Sequence, residues 1–410
     1  MSFGAQNNTT ASHSPAGGAR AVRGSNQSGM RAHNERLVLS IIRQAGPMPK
    51  AEIARLTGLS AQTVSVIMRA LEGDQLLRRG APVRGKVGQP SVPMGLDQDG
   101  AFFFGLKVGR RGAELVLCDF MGTVRAHRRE ILQSVTPDGV VQFANDTIRE
   151  FLRALPEASG ARVAGLGIAL PFRMWDWVNP AQPATAGLVA WRDRDIATEL
   201  GADWDFPVYL CNDASAACGA ELVFGDQAKP RDFLYVYVGS YVGGGLVLDN
   251  RLYTGPSGNA AALGSLRVAN DAGDICQLVE VASLLTLEEM LLAAGHDRRD
   301  IWERQADWVI SEPVLGAWLE QAAQGLAQAI VASTCLIDFR AVLIDGSMPN
   351  RVRAALVART RSALACLVVP GIEFPEIQEG TIGFDAKALG AASLPLSDRF
   401  LVDRDAFLKV

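Results

Sequence analysis

The chain has 410 residues, 48% hydrophobic and 20% charged, with a formal net charge of −4. That length exceeds one ordinary core and implies two or three domains. No apolar run is long enough to span a membrane, and Met1 to Met30 lacks the compact apolar core of an export signal, so a soluble, cytoplasmic protein is expected. Six cysteines form no CxxC pair and none of the four histidines lies near a cysteine, which leaves little for a zinc site; reduced thiols are expected. The charge is uneven. Residues 1–95 hold twelve Lys/Arg against four acids, a surplus of +8 that leaves −12 for the remainder. A basic head on an acidic body suits a protein that docks one end on phosphate.

Residues 1–30, rich in Ser, Gly, Ala and Asn without periodicity, read as a disordered arm. From Asn34 to about Ala45, the stripe Leu37, Val38, Ile41, Ile42 predicts a helix, which Gly46-Pro47-Met48-Pro49 breaks. Between Lys50 and Leu77 two short amphipathic segments meet at Thr57-Gly58-Leu59-Ser60. Ile53 and Leu56 share a face of the first, while Val64, Ile67, Met68 and Leu71 form the buried stripe of the second. Gly58 suits the tight turn and Ser60 the N-cap. The opposite face carries Gln62, Ser65 and Arg69, with Thr63 beside them near the N-terminus. Short polar groups there are what a major-groove reader presents to base edges, although an ordinary helical hairpin has the same outline. Leu76–Arg79 and Ser91–Met94 then read as two strands around a basic tip. That is a winged helix-turn-helix over residues 31–95. Ser60 starts the reading helix, Gln62, Thr63 and Ser65 are the expected base readers, and Arg69, Arg84 and Lys86 hold phosphate or the minor groove.

From residue 100 the period changes. Residues 100–130 predict three antiparallel strands, followed by a helix from about Val140 to Leu155 and a strand over Val163–Leu170. A long loop to Trp191, a strand over Pro207–Asp213 and a helix from Ala214 to Phe224 come next. Phe233–Gly255 repeats the hairpin theme. Helices at Ser283–Gly295 and about Val314–Ile337, a strand at Ala341–Gly346, a helix from about Arg351 to Leu367 and a closing helix near Phe384–Ala392 complete the chain. Two copies of hairpin followed by βα units imply a duplicated two-lobed α/β body, with the ligand site between the lobes.

The segments VAGLGIALP, LCNDASAACGAELVFG, VYVGSYVGGGLVLDNRLYTG and GTIGFDAKALGAASL, in that order, resemble the ROK family of repressors, open reading frames and sugar kinases. With the winged helix in front, the chain is similar to the transcriptional-repressor branch. The resemblance implies an actin-like ATPase (ribonuclease H-like) body over residues 100–400. Lobe 1 would take about 100–212 plus the C-terminal helix, and lobe 2 about 213–384. It further implies a sugar or sugar derivative in the cleft and a homodimer or tetramer.

The family's kinase machinery is only partly present. Gly105-Leu106-Lys107-Val108-Gly109-Arg110-Arg111 aligns with a Gly-x-Asp-x-Gly-x-Thr-like loop, so Lys107 stands where an Asp helps organise Mg²⁺. Gly239 to Gly245 keeps the outline of the second phosphate loop, with Tyr241 at a position the kinases keep small. Asp213 matches the catalytic base, and with Asn212 is expected to hydrogen-bond a ligand. Ala262-Leu263-Gly264-Ser265 replaces Glu-x-Gly-His, which removes a sugar-binding carboxylate and the zinc-binding His; only Cys276 remains of the zinc loop. Arg173 in the Pro171–Trp177 run, one tryptophan of that run, Trp191 and Ser265 are further candidate cleft residues. Paired Arg110 and Arg111 in a hairpin turn are expected to be solvated; the alternative is an anionic ligand meeting them and Lys107. The reading is a DNA-binding regulator with no catalysis, no metal and no cofactor, a repressor released by a carbohydrate-like effector. An active sugar kinase with a regulatory head and a ligand-free constitutive regulator are the alternatives.

Overall fold

The computed structural model describes residues 27–82, 91–132, 134–177, 183–226, 229–302 and 308–402. The predicted arm up to residue 26 and the wing tip with Arg84 and Lys86 lie outside them. Three helices, α1 (Gln27–Ala45), α2 (Lys50–Thr57) and α3 (Ala61–Gly73), open the chain. α1 begins earlier than the expected Asn34 and takes in the end of the predicted arm. The helices pack Val38, Ile42, Ile53, Val64, Met68 and Leu71 into one core. Gly58 ends α2 at φ 70°, a left-handed conformation that side chains with a Cβ resist. Leu56 departs from the expectation: it is 46% exposed, because Ala54 rather than Leu56 turns inward beside Ile53.

The wing strands β1 (Leu77–Arg79) and β2 (Met94–Leu96) pair antiparallel, Leu77 opposite Leu96. The second strand falls later than Ser91–Met94. Pro93 has no N–H to give a ladder, so it only accepts from Gly80 (2.8 Å) and regular pairing starts at Met94. Met48, read from sequence as part of a helix break, pairs with Met94 through two hydrogen bonds of 2.9 and 3.1 Å. Arg79 grips Glu72 of α3 with bonds of 2.6 and 3.0 Å, holding the wing's base against the reading helix.

The body repeats one pattern. Strands β3 (Phe102–Gly109), β4 (Gly112–Asp119) and β5 (Val124–Ile131) form the first hairpins. Helix α4 (Pro137–Ala154), the single turn α5 (Glu157–Gly160), β6 (Val163–Leu170), α6 (Ile196–Gly201) and β7 (Val208–Asn212) follow. The sheet order is β5-β4-β3-β6-β7, parallel only on the β3-β6-β7 side. After α7 (Asp213–Phe224) the second sheet uses β8 (Phe233–Val238), β9 (Val242–Leu248) and β10 (Arg251–Tyr253) as hairpins. The small hairpin β11 (Arg267–Ala269) and β12 (Ile275–Gln277) comes next, then α8 (Leu278–Ala282), α9 (Leu284–Ala293), α10 (Arg299–Trp302) and α11 (Glu312–Thr334). β13 (Ala341–Gly346), α12 (Asn350–Ala365), β14 (Glu376–Glu379) and α13 (Ala386–Phe400) close the chain. The second order, β10-β9-β8-β13-β14, is that of the first. The inner strands β8 and β13 are buried along their whole length, as helices on both faces require, whereas β5 carries Arg125, His127, Arg128 and Arg129 on an exposed edge. Among the described residues no helix is long and apolar enough to cross a membrane.

α13 ties these parts together. Its face of small residues lies directly on backbone: Gly105 meets the Ala388 carbonyl, Gly167 the Ala391 carbonyl, and Gly390 the Ala216 carbonyl on α7. A Cβ at any of the three would overlap those atoms. The helix also runs past the expected Ala392 and through Pro395. Proline removes a helical N–H donor to Ala391, and that same carbonyl is the one approached by Gly167. At its far end Phe400 sets its ring edge-on to Phe103 and Phe120, centroids 5.8 and 5.0 Å away. There the body meets the head. Val402 N–H donates to Ser40 Oγ on α1 (3.1 Å), and Arg43 of α1 covers the Phe120 ring at 5.3 Å and donates to its carbonyl. One apolar cluster runs from Val38 and Met68 through Phe103 and Phe120 to Ala392 and Leu396.

Gly167→Ala should therefore force β6 and α13 apart. Overpacking of this kind costs about 1–3 kcal/mol. Urea unfolding should show that loss, while Gly73→Ala, where a Cβ has open space, should not.

Candidate functional sites: a recognition helix and an interlobe cavity

On α3, Ser60 caps the helix: its Oγ accepts from Thr63 N–H at 3.1 Å and lies 2.8 Å from Thr63 Oγ1. Both hydroxyls are thus engaged in the cap. Ser65 Oγ accepts from Lys50 Nζ at 3.4 Å, a contact with α2. Gln62 and Arg69 are exposed. Val66, absent from the candidates read from sequence, stands with them on the same face and is 53% exposed. The spacing 62, 66, 69 is the signal that would have found it. A valine between a glutamine and an arginine offers an apolar surface of the sort that meets a thymine methyl.

The second site is a cavity of about 480 Å³ between the two sheets. That is within the range of small-molecule pockets. Asn212 and Asp213, at the junction of β7 and α7, line it together with Ser265 and Arg173. Asn212 is the N-cap of α7, its Oδ1 accepting from Ala214 N–H (3.0 Å) and Ser215 N–H (3.3 Å). Asp213, nearly buried, accepts from Lys387 Nζ of α13 at 2.5 Å. Lys387 also lies 4.7 Å above the ring of Tyr237, whose hydroxyl is 2.9 Å from Ser347 Oγ. Lys387 was not among the candidates; nothing in its own segment signals a partner 174 residues away. Arg173 stands at the rim at φ 56°, 70% exposed, and pairs with Asp176 at 2.7 Å.

Trp191 does not join this site. It is 3% exposed in the core of the first lobe, and its Nε1–H donates to the Val135 carbonyl at 2.8 Å. Its apolar bulk is used for packing, so the expectation that it lines the cleft fails. Trp175 packs against the same core; the side chain of Trp177 lies outside the described residues.

The positions that resemble the family's phosphate loops line the same cavity and carry charges paired within the protein. Lys107 sits directly opposite Glu114 in the β3–β4 register, Nζ 3.4 Å from Oε2, and His127 Nε2 is 2.9 Å from the other carboxylate oxygen. Burial pulls the Lys107 pKa down; Glu114 opposes the drop, while Lys387 and Arg129 add to it. The expectation of solvated arginines in the β3–β4 turn is also overturned. Arg111 reaches across the cleft to Glu288 of α9 (2.5 Å) and lies 4.3 Å from the Trp302 ring, and Trp302 Nε1–H donates to the same carboxylate at 2.9 Å. Arg110 stands 5.5 Å over the ring of Tyr241 in the opposing loop. The β3–β4 turn thus bridges the two lobes.

A winged helix-turn-helix head on a duplicated two-lobed body, with a polar cavity between the lobes, defines a DNA-binding module joined to an actin-like, kinase-type fold. The comparisons agree. The ROK family matches residues 103–397, and the winged helix-turn-helix DNA-binding family matches residues 31–78. The chain belongs to the ROK family. It is 25% identical over 236 residues to the xylose repressor of Bacillus subtilis, which covers 57% of this chain and 60% of that protein. The crystal structure of a ROK family transcriptional regulator, a homologue of the E. coli MLC protein, covers 92% of this chain and 99% of that one with a TM-score of 0.67 at 20% identity. The ROK hexokinase of Thermus thermophilus shares the body's fold, with a TM-score of 0.52 at 23% identity, covering 72% of this chain and 99% of its own.

A pH test follows from Lys107. Its pKa is lower in the folded chain than in the unfolded one, so across that window the unfolded chain binds more protons and stability rises with pH. Because Glu114 opposes the shift, Glu114→Gln should deepen it. The variant should melt below wild type at pH 7 and regain part of the difference as the pH is raised towards 10, read as Tm against pH for both proteins.

Proposed function

We propose that this chain is a sequence-specific transcriptional regulator, a repressor that leaves its operator when a sugar or sugar derivative fills the interlobe cavity. The observation that carries the reading is the state of the old phosphate loops beneath a DNA-binding head. Lys107 is held by Glu114, and Arg110 and Arg111 cross to the other lobe, while the cavity these residues line extends to Asp213. Phosphoryl transfer depends on metal and charge neutralisation at those loops, and a lysine at the metal-linked position repels Mg²⁺. The body therefore serves as a sensor. The similarity to a xylose repressor and to a ROK transcriptional regulator supports the same assignment.

In this reading Gln62, Val66 and Ser65 face base edges, Arg69 contacts the backbone, and Ser60 and Thr63 hold the start of the helix in place. Arg84 and Lys86, which lie outside the described residues, are assigned to phosphate or the minor groove. Asp213, Asn212 and Ser265 meet the ligand's hydroxyls and Arg173 guards the rim. Two copies would place two heads on the half-sites of a pseudo-palindromic operator. For the ligand to act, it must prefer the lobe arrangement that disturbs the heads; a ~100-fold preference corresponds to about 2.7 kcal/mol of coupling.

Selection of binding sites from random duplexes should yield a two-half-site operator. Gln62→Ala should relax preference at one base pair, a loss of about 1–3 kcal/mol of discrimination. Arg69→Ala should weaken all sequences evenly and flatten the salt dependence; an unchanged Gln62→Ala footprint would count against this orientation of α3.

Thermal-shift screening against neutral sugars, sugar acids and sugar phosphates should reveal a stabilising ligand. At a hundredfold excess over Kd the gain is about 2.7 kcal/mol, and Asp213→Ala should abolish it. ADP release from ATP with the same compounds should stay at background; turnover would return the chain to the sugar kinases.

A further inference from the structure

We infer that Lys387 is the residue through which the contents of the cavity are passed to the head, with α13 as the connecting rod. This rests on the proposed reading of the cavity as a ligand site and of the head as its output. Lys387 occupies the first turn of α13. A cation there faces the positive end of the helix dipole, so its place depends on outside partners. The partners described are Asp213 at 2.5 Å and the Tyr237 ring at 4.7 Å. One belongs to the start of α7 and the other to β8, so this single ammonium ties the first turn of α13 to α7 and to the second sheet.

Asp213 is also a cavity-lining carboxylate able to accept a ligand hydroxyl. A hydroxyl donating to that carboxylate competes with the charge-assisted bond from Lys387. The first turn of α13 then loses its anchor. The helix cannot absorb the change by side-chain adjustment, because at Gly105, Gly167 and Gly390 its contacts are backbone against backbone. The change is passed along the rod instead. From Lys387 to Phe400 the rod spans about 20 Å at 1.5 Å per residue. Pro395 supplies a place to bend. Beyond it lie Leu396 and Phe400 in the cluster shared with α1, and the Val402–Ser40 hydrogen bond. Lys387 is thus a positioning residue: it touches the cavity at one end of α13, and the other end holds the head.

Hydrogen-exchange mass spectrometry on the full chain tests this without sugar or DNA. Lys387→Met and Asp213→Asn break the pair from opposite sides. Both should raise exchange at least tenfold in the first turns of α13 and also in α1, while Lys387→Arg, which keeps the charge, should leave α1 near wild type. A purely local role would confine the change to peptides lining the cavity. Protection of α1 equal to wild type in both Lys387→Met and Asp213→Asn overturns the inference, and if one variant fails to fold the other decides. Failure of the underlying functional reading appears elsewhere, as a wild-type chain that selects no DNA sequence and gains no stability from any sugar.

Discussion

The whole molecule depends on how closely one helix can approach its neighbours' backbones. α13 lies on β3 and β6 of the first sheet and on α7, and it does so only because Gly105, Gly167 and Gly390 have no side chains. Close approach of this kind fixes position through repulsion rather than attraction: there is almost no other arrangement of the same atoms. From it follow the placement of Lys387 against Asp213, the seating of α7 at the cavity and the point at which Phe400 reaches the head.

The cavity shows what happens when charges are kept but their counter-charges change. Lys107, Arg110, Arg111 and Lys387 would together make a strongly positive pocket. Glu114, Glu288 and Asp213 neutralise three of these cations inside the fold, and Arg110 lies over an aromatic face. Partly buried pairs of this kind add little net stability, because desolvation offsets most of the attraction, but breaking one leaves an uncompensated charge at greater cost. Their effect is on specificity. Under the proposed function, a nucleotide's phosphates would have to displace the Arg111–Glu288 pair already formed across the cleft.

Much of the fold was legible in the sequence, since local rules govern it. The Val64–Leu71 stripe, the Ser60 cap, the Gly58 turn and the strands Val163–Leu170 and Ala341–Gly346 follow from periodicity and backbone preference alone. What was missed depends on long-range pairing. Glu114 becomes the partner of Lys107 only through the strand register, and Lys387 finds Asp213 only once α13 has crossed the body. Trp191 looked like a cleft residue because the resemblance puts a sugar-contacting loop near it, yet its bulk fills the core of the first lobe. Leu56 was assigned to the wrong side since eight residues of helix fix a buried face poorly. Met48 was read as part of a break and sits instead in a strand pairing, and the closing helix, expected to end near Ala392, runs on through Pro395.

The join between head and body has its own consequence. Asp97 N–H donates to the Leu76 carbonyl (2.9 Å) and Phe120 N–H to the Gln98 carbonyl (3.1 Å), so the short connection is hydrogen-bonded on both sides, and the two parts share one apolar cluster. A head on a slack tether can follow half-sites set at several separations. One built into the body in this way measures distance like a caliper. In the proposed dimer, each base pair added between half-sites turns the far one by roughly 35° around the duplex, given 10–10.5 base pairs per turn, and a pair of heads fixed in this way has no slack with which to follow it. Spacing would then be read as strictly as sequence, by the mass of the body rather than by any residue that touches a base.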